Sequence, residues 1–202
     1  WVLADEHLKR AAAAPRPPAA AASPRLPTGG EIAFLQFTSG STSDPKGVMI
    51  SHGNLAHNLA LIVQALGASP ATVNVSWLPQ YHDMGLIGSH LGTIACGGSA
   101  VLMSPFQFVR DPGAWIRALA RFRGTHTQAP SFAFALAARK WRPDASGAVR
   151  LDSVRHILNA AEPVDAKAID AFESVFCGPG ERARPARPVR ARASALHARP
   201  PH

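Results

Sequence analysis

Apolar runs separated by turn residues recur through the middle of this 202-residue chain. Five of these runs have the length of a strand, and most are apolar enough to be buried on both faces, as the strands of a parallel sheet are. The five predicted strands are Ile32–Phe37, Val73–Leu78, Ser99–Ser104, Thr125–Ala129 and Val154–Asn159.

Apolar residues at helical spacing fill segments between these strands. One predicted helical face consists of Leu55, Leu59, Ile62, Val63 and Leu66. A second consists of Val164, Ala168, Phe172, Val175 and Phe176. A third helix is predicted to begin at Asp111-Pro112, where a capping residue precedes proline, and to bury Trp115, Ile116, Leu119 and Phe122. Strands that alternate with helices predict an α/β domain with a mostly parallel sheet flanked by helices.

The two ends of the chain differ in composition from this middle part. Residues 1–30 include the run AAAAPRPPAAAASPRLPTGG, whose Pro and Gly interrupt any helix, so we predict a linker there. Residues 31–178 form the predicted domain. Residues 179–202 are almost entirely Arg, Ala and Pro and are predicted to be disordered, because they cannot bury enough apolar surface to offset the entropy of ordering.

The net charge of +8 comes mostly from this tail, which holds six arginines and one glutamate after residue 180. The tail has no aromatic side chain for stacking on bases, so we do not expect a nucleic-acid partner. The apolar runs are too short for a membrane span, and no leader is visible, so we expect a cytoplasmic protein. Two cysteines, Cys96 and Cys177, without a Cys/His cluster predict neither a disulfide framework nor a metal site.

The segment that indicates a chemical function most clearly follows the first predicted strand. It reads FTSGSTSDPKGV, from Phe37 to Val48. Gly and small hydroxyl residues let backbone N–H groups approach an anion closely, and Lys46 adds a positive charge for a phosphate. The spacing is not that of a Walker loop, in which Gly directly precedes Lys. The segment predicts a phosphate-binding loop, with a solvated Ser/Gly loop as the alternative.

Three segments together resemble the adenylate-forming (acyl-activating, AMP-binding) enzyme superfamily. They are FTSGSTSDPKGVMIS from residue 37, WLPQYHDMGLIG from residue 77 and LNAAEPV from residue 158. The additional runs VLMSPFQF and THTQAPSFAF are most similar to the fatty acyl-AMP ligases, with the acyl-CoA synthetases as the alternative. The resemblance implies part of the amino-terminal domain of the adenylate-forming fold over residues 31–178, and a remnant of an upstream subdomain within residues 1–30.

The resemblance also implies a reaction, its cofactors and its partners. A fatty acid, here expected to be long-chain, would be converted with ATP and Mg²⁺ into an acyl adenylate. The acyl group would then pass to an acyl carrier protein, or to CoA in the alternative.

Site residues follow from the same resemblance. The phosphates would be bound by Thr38, Ser39, Gly40, Ser41, Thr42, Lys46 and Gly47. His82 and Asp83 would contact the acyl adenylate, with Met84, Leu86 and Ile87 in the wall of an acyl tunnel. Burial of these three apolar residues in the core is the alternative. Adenine would lie against Ala160, Ala161, Glu162 and Pro163, where Glu162 either accepts from the amino group of the base or caps the next helix. Lys46 and His82 are the expected catalytic residues.

The resemblance ends after Phe176. The family's magnesium-binding Glu motif and its carboxyl-terminal catalytic Lys do not follow, so we expect a fragment of a larger enzyme that is inactive alone. A catalytically inactive nucleotide-binding fragment is the alternative. The Arg/Ala/Pro tail is either the product of a shifted reading frame or a genuine basic linker.

Overall fold

A computed structural model of the protein describes residues 25–38, 46–142 and 149–176. Most of the predicted linker and the whole predicted tail lie outside these residues, so the predictions of disorder and of domain boundaries remain predictions. Within the described residues no helix has the length and apolar character of a membrane span.

The described residues contain two separate sheets. The six strands are β1 (Ile32–Thr38), β2 (Lys46–Ser51), β3 (Val73–Ser76), β4 (Ser99–Leu102), β5 (His126–Ala129) and β6 (His156–Asn159). Strands β3 to β6 form one sheet in the order β4-β3-β5-β6, and every pair in it is parallel. All four strands therefore end at the same edge of the sheet, and the predicted α/β fold with a parallel sheet is confirmed.

The first predicted strand forms, but its predicted place in the parallel sheet is wrong. Strand β1 pairs antiparallel with β2 in a separate two-stranded hairpin. The physical reason is the short connection between them, because a parallel neighbour needs a crossover of about a dozen residues or more. Neither face of the hairpin is fully covered, and Leu35 and Phe37 are 52% and 62% exposed. This strand is therefore not the buried strand that its apolar composition predicts.

Helices cover both faces of the parallel sheet. They are α1 (His52–Ala65), a π-helix (Met84–Leu91) that continues directly into α2 (Gly92–Ala95), then α3 (Pro105–Arg110), α4 (Gly113–Arg121), α5 (Ser131–Lys140) and α6 (Ala166–Phe176). Helix α1 begins at a reciprocal cap, in which the Ser51 hydroxyl accepts from Asn54 N and the Asn54 side chain accepts from Ser51 N. The predicted apolar face of α1 is half-buried.

The core lies on the α4 side of the sheet and is centred on Trp115, which is fully buried. Its indole nitrogen donates to the Thr127 hydroxyl at 2.9 Å, and that hydroxyl donates to the Val75 carbonyl at 2.7 Å. The surrounding aromatic rings are Trp77, Phe108, Phe134 and Phe172. The predicted burial of Trp115, Ile116 and Leu119 is confirmed.

Two residues that the helical spacing placed inside are exposed. Phe122 is 47% exposed, because α4 ends at Arg121 and the next residue no longer follows the helical period. The Arg121 guanidinium lies 5.4 Å from the centre of the Phe122 ring. Val175 is 41% exposed, since the buried stripe of α6 runs through Ile169 instead.

Two stacked histidines occupy the opposite side of the sheet, beside a cavity of about 30 Å³. The rings of His126 and His156 lie 4.8 Å apart, and His126 Nε2 is 3.0 Å from the Leu66 carbonyl oxygen at the end of α1. Burial lowers the pKa of both rings, and the charge of Arg155 acts in the same direction. Both histidines are therefore held in the neutral form more strongly than a free side chain.

The first prediction concerns the pH dependence of stability. Because the folded-state pKa of His126 lies below its ordinary value of 6.5, the unfolded chain binds more protons in the interval between the two values. The free energy of unfolding should be level above this interval and fall as the pH drops below about 6.5. In His126→Gln this fall should be smaller, measured by urea denaturation between pH 7.5 and 5.5.

His57→Gln is the matched control, since His57 lies on the exposed side of α1. It should keep the pH dependence of the unsubstituted chain. An equal fall in His126→Gln and the control would contradict the assignment to the buried ring.

Candidate functional site

Three of the motif segments meet at the carboxyl edge of the parallel sheet. Residues 77–83 follow β3, residues 130–132 follow β5, and residues 160–163 follow β6. The Trp77 and Phe132 rings lie 6.1 Å apart, and Phe132 N donates to Glu162 Oε1 at 2.9 Å. Ligands of open parallel sheets bind beyond the carboxyl ends of the strands. This edge is therefore the candidate site.

The segment after β3 holds His82 and Asp83 at the start of the π-helix. His82 Nδ1 lies 2.9 Å from Asp83 Oδ1, and the backbone N–H of Met84 points at both atoms, at 3.2 Å and 2.6 Å. The two side chains are 50% and 41% exposed, so both are reachable from solvent. A carboxylate oxygen can only accept, so at 2.9 Å Nδ1 donates its hydrogen to Asp83, and the Met84 amide donates to the same oxygen. The Asp83 carboxylate therefore orients the imidazole.

The π-helix carries the apolar residues that were predicted to line a tunnel. Met84 is 5% exposed and packs in the core, whereas Leu86 and Ile87 are half-buried. A methyl group at Gly85 would collide with the carbonyl oxygen of Pro79. The close approach of the π-helix to the preceding loop therefore requires glycine at this position.

Ser131, which the motif analysis did not single out, ties the ends of β5 and β6 together. Its hydroxyl lies 3.0 Å and 3.2 Å from the two polar atoms of the buried Asn159 side chain, and 3.4 Å from the Pro163 carbonyl oxygen. It also accepts from Asp165 N at 3.0 Å. The turn over residues 160–165 is thus held by one side chain at the start of α5.

Glu162 also contacts α5, because its carboxylate accepts from the N–H of Phe132 in the first turn. A carboxylate stabilises the positive end of a helix dipole there. The sequence left open whether Glu162 caps the next helix or faces adenine. The helix it contacts is the preceding one along the chain.

The same turn contains a strained residue. Ala161 has a φ of +73°, in the left-handed region that favours glycine. Ala161 and Pro163 are exposed, and Ala160 is half-buried. Strained backbone of this kind is found at ligand sites when the surrounding contacts hold it, as Ser131 and Glu162 do here.

The predicted phosphate loop joins the two strands of the hairpin. Thr38 and Lys46 are paired at the last register position of β1 and β2, so the backbone brings the ends of the loop together. Gly47 faces the Phe37 ring, which a methyl group would approach to 3.1 Å. The predicted residues Ser39, Gly40, Ser41 and Thr42 lie outside the described residues, as do the side chains of Thr38 and Lys46.

The hairpin also touches the candidate site. Gln36 Nε2 in β1 donates to the carbonyl oxygen of Tyr81 at 3.4 Å, one residue before His82. Nowhere in the described residues do three or more His, Cys, Asp or Glu side chains group as a metal site requires. The described part of the site therefore offers hydrogen-bonding and apolar groups in contact with strand β1 of the hairpin.

The chain matches the profile of the family described as AMP-binding enzyme over residues 2–183. The chain belongs to the AMP-binding enzyme family. The resemblance that the three motif segments predict is thereby confirmed. Two of these segments of the AMP-binding chain, those from residues 77 and 158, meet at the carboxyl edge of the sheet.

Individual relatives of this AMP-binding chain are fatty acyl-AMP ligases and related ligases. It is 44% identical over 149 residues to the long-chain-fatty-acid–AMP ligase FadD32 of Mycobacterium marinum, covering 71% of this chain and 24% of FadD32. It is 37% identical over 145 residues to the medium-chain-fatty-acid–[acyl-carrier-protein] ligase JamA of Moorena producens, covering 72% of this chain and 24% of JamA.

A solved structure gives the same result. The fatty acyl-adenylate ligase from L. pneumophila, in complex with acyl adenylate and pyrophosphate, superimposes with a TM-score of 0.73 at 39% identity and covers 79% of this chain and 28% of that one. This AMP-binding chain therefore spans about a quarter of the length of these relatives.

The second prediction tests the strain at Ala161. A left-handed alanine costs roughly 1–2 kcal/mol, whereas an ordinary Ala→Gly change loses about 0.4–1 kcal/mol through the unfolded state. Ala161→Gly should therefore leave the free energy of unfolding unchanged or slightly raised. Ala160→Gly, whose backbone has no positive φ, should lower it by about 1 kcal/mol. Equal losses in the two variants, measured by urea denaturation, would show that the turn stores no strain.

Proposed function

We propose that the protein activates a fatty acid with ATP, as an acyl adenylate, and transfers the acyl group to the thiol of an acyl carrier protein. The observation that supports this most is the meeting of the residue 77–83, 130–132 and 160–163 segments at one sheet edge, beside the hairpin of the phosphate loop. The names of FadD32 and of the L. pneumophila ligase state the joining of a fatty acid to AMP, and the name of JamA states an acyl carrier protein as its partner.

The reaction joins two anions, so the site must neutralise charge and align the reactants. The carboxylate oxygen of the fatty acid forms a bond to the α-phosphorus of ATP, and the bond to pyrophosphate breaks. We assign the β- and γ-phosphates to the loop from Thr38 to Gly47, with Lys46 as its positive charge. Mg²⁺ belongs to this proposal as a counterion of ATP, and we assign none of the described residues to it.

His82 would donate a hydrogen bond to the acyl adenylate. Its Nδ1–H donates to Asp83 Oδ1, which leaves Nε2 for the ligand. In the doubly protonated ring Nε2–H can donate, and we assign it to the carbonyl or phosphate oxygen of the acyl adenylate. Asp83, held by Met84 N, would orient the ring rather than react.

The turn over residues 160–163 would hold adenine. The small side chains of Ala160 and Ala161 leave room for a flat base beside the backbone. Glu162 Oε1 is fixed by Phe132 N, and we assign Oε2 to the amino group of adenine. This division lets one carboxylate hold the start of α5 and contact the base.

The acyl chain would run along the π-helix, past Leu86 and Ile87, with Met84 buried behind them. We propose a long-chain substrate, as the name of FadD32 suggests, and a cytoplasmic location, where ATP is available. We further propose residues 31–178 as the part of the AMP-binding domain in this chain, between a linker and a disordered tail.

The third prediction concerns exchange of pyrophosphate into ATP. It is measured with the natural protein that contains this chain, in the presence of fatty acids of graded length. Lys46→Ala and His82→Ala should each lower kcat/KM by about 100-fold, the loss typical of one charge-assisted or oxyanion contact. Lys140→Ala, an exposed lysine at the end of α5, is the matched control and should leave exchange unchanged. Unchanged exchange in Lys46→Ala would contradict the phosphate-loop assignment.

The acceptor is tested separately. A phosphopantetheinylated carrier protein and CoA are offered to the acyl adenylate formed, and thioester is detected by mass spectrometry. Acylated carrier protein supports the proposal. Acyl-CoA alone would assign the protein to the acyl-CoA synthetases instead.

A further inference from the structure

Gln128 in β5 is a buried polar residue on the face of the sheet that carries the π-helix. Only 6% of the residue is exposed. Its Nε2 donates to the carbonyl oxygen of Met84 at 2.7 Å and to the Ser89 hydroxyl at 2.6 Å. A single side chain of the sheet thus binds the first residue of the π-helix and another near its end.

The other polar side chains of the sheet that contact the π-helix hold only its far end. Asn74 Nδ2 donates to the Ser89 carbonyl oxygen at 3.1 Å, and the Ser89 hydroxyl donates to Ser76 Oγ at 2.9 Å. Both partners lie on β3. Gln128 differs from them because its second hydrogen bond reaches back to Met84, where the helix begins.

Met84 connects this hydrogen bond to the candidate site. Its carbonyl oxygen accepts from Gln128, and its N–H donates to Asp83 Oδ1 at 2.6 Å. The same carboxylate oxygen lies 2.9 Å from His82 Nδ1. A shift of Met84 therefore moves the carboxylate that orients the imidazole.

The helix leaves space for this contact by having glycine at position 88. A methyl group there would lie 2.6 Å from Gln128 Nε2 and 2.9 Å from its Oε1. The carboxamide and Gly88 thus fit against each other, and neither can be enlarged without displacing the other. π-Helices are rare in proteins, but those that occur are often found at functional sites. The hydrogen bond from Gln128 holds this one at Met84, next to the candidate site.

We propose that Gln128 is a positioning residue for His82: it fixes Met84 against the sheet, Met84 N–H holds the Asp83 carboxylate, and that carboxylate accepts from His82 Nδ1. The importance of this position rests on the proposed function, in which Nε2–H contacts the acyl adenylate. Gln128 itself does not touch the reactants.

The fourth prediction is tested on the 202-residue chain by the ¹⁵N shifts of the His82 ring and by amide hydrogen exchange, with His82 assigned from the spectrum of His82→Gln. Gln128→Met keeps the length of the side chain and removes its hydrogen bonds. The variant should shift the His82 Nδ1 signal, because the Asp83 carboxylate is no longer held in place. It should also exchange the Met84 amide about tenfold faster, as expected for the loss of one hydrogen bond. Thr127→Val is the matched control, because it removes two buried hydrogen bonds from the same strand on the other face. It should leave the His82 shifts unchanged.

Gly88→Ala provides a second route, since it displaces the carboxamide without altering Gln128, and it should shift the His82 ring signals in the same direction. If Gln128→Met does not fold, the His82 ring shifts of Gly88→Ala test the proposal instead. His82 shifts that match those of the unsubstituted chain in the folded variants would overturn the proposal. Failure of the proposed function would give a different result. Pyrophosphate exchange would be unchanged in His82→Ala, while the His82 ring shifts would still change in Gln128→Met.

Discussion

The parallel direction of β3, β4, β5 and β6 is the constraint on which the described structure depends. Each crossover returns the chain to the amino edge, so every strand delivers the residues that follow it to the same carboxyl edge. Residues more than fifty positions apart, such as Trp77 and Phe132, meet there without any long loop. The strands build the candidate site by their direction rather than by their composition.

Successive side chains of the central strands point to opposite faces of the sheet, and the two faces differ in chemistry. Val75 and Thr127 face the aromatic core around Trp115, whereas Asn74, Ser76 and Gln128 face the π-helix. The apolar face contributes the buried surface that stabilises the fold. The polar face contributes directed hydrogen bonds, which fix the register of a helix more specifically than apolar contacts do. Stability and positioning of the site are thus separated between the faces of one sheet.

The strands of the parallel sheet and the three motif segments could be predicted from the sequence, because apolar runs and small-residue motifs are local signals. The hairpin could not be placed, since the apolar composition of β1 resembles that of a buried parallel strand and only pairing with β2 distinguishes them. The buried polar residues Gln128 and Ser131 could not be predicted for a related reason. Polar residues are expected at the surface, and the partners that accept their hydrogen bonds in the interior are distant in the chain.

The central claim is that an acyl adenylate binds at the carboxyl edge of the parallel sheet. The most direct measurement is the set of amide chemical-shift changes when a non-hydrolysable acyl-sulfamoyl adenosine is added to the ¹⁵N-labelled chain. The account predicts that the largest changes fall on His82, Asp83, Phe132, Ala161 and Glu162. Changes confined to the amino edge, at Arg123 and Arg155, would contradict it.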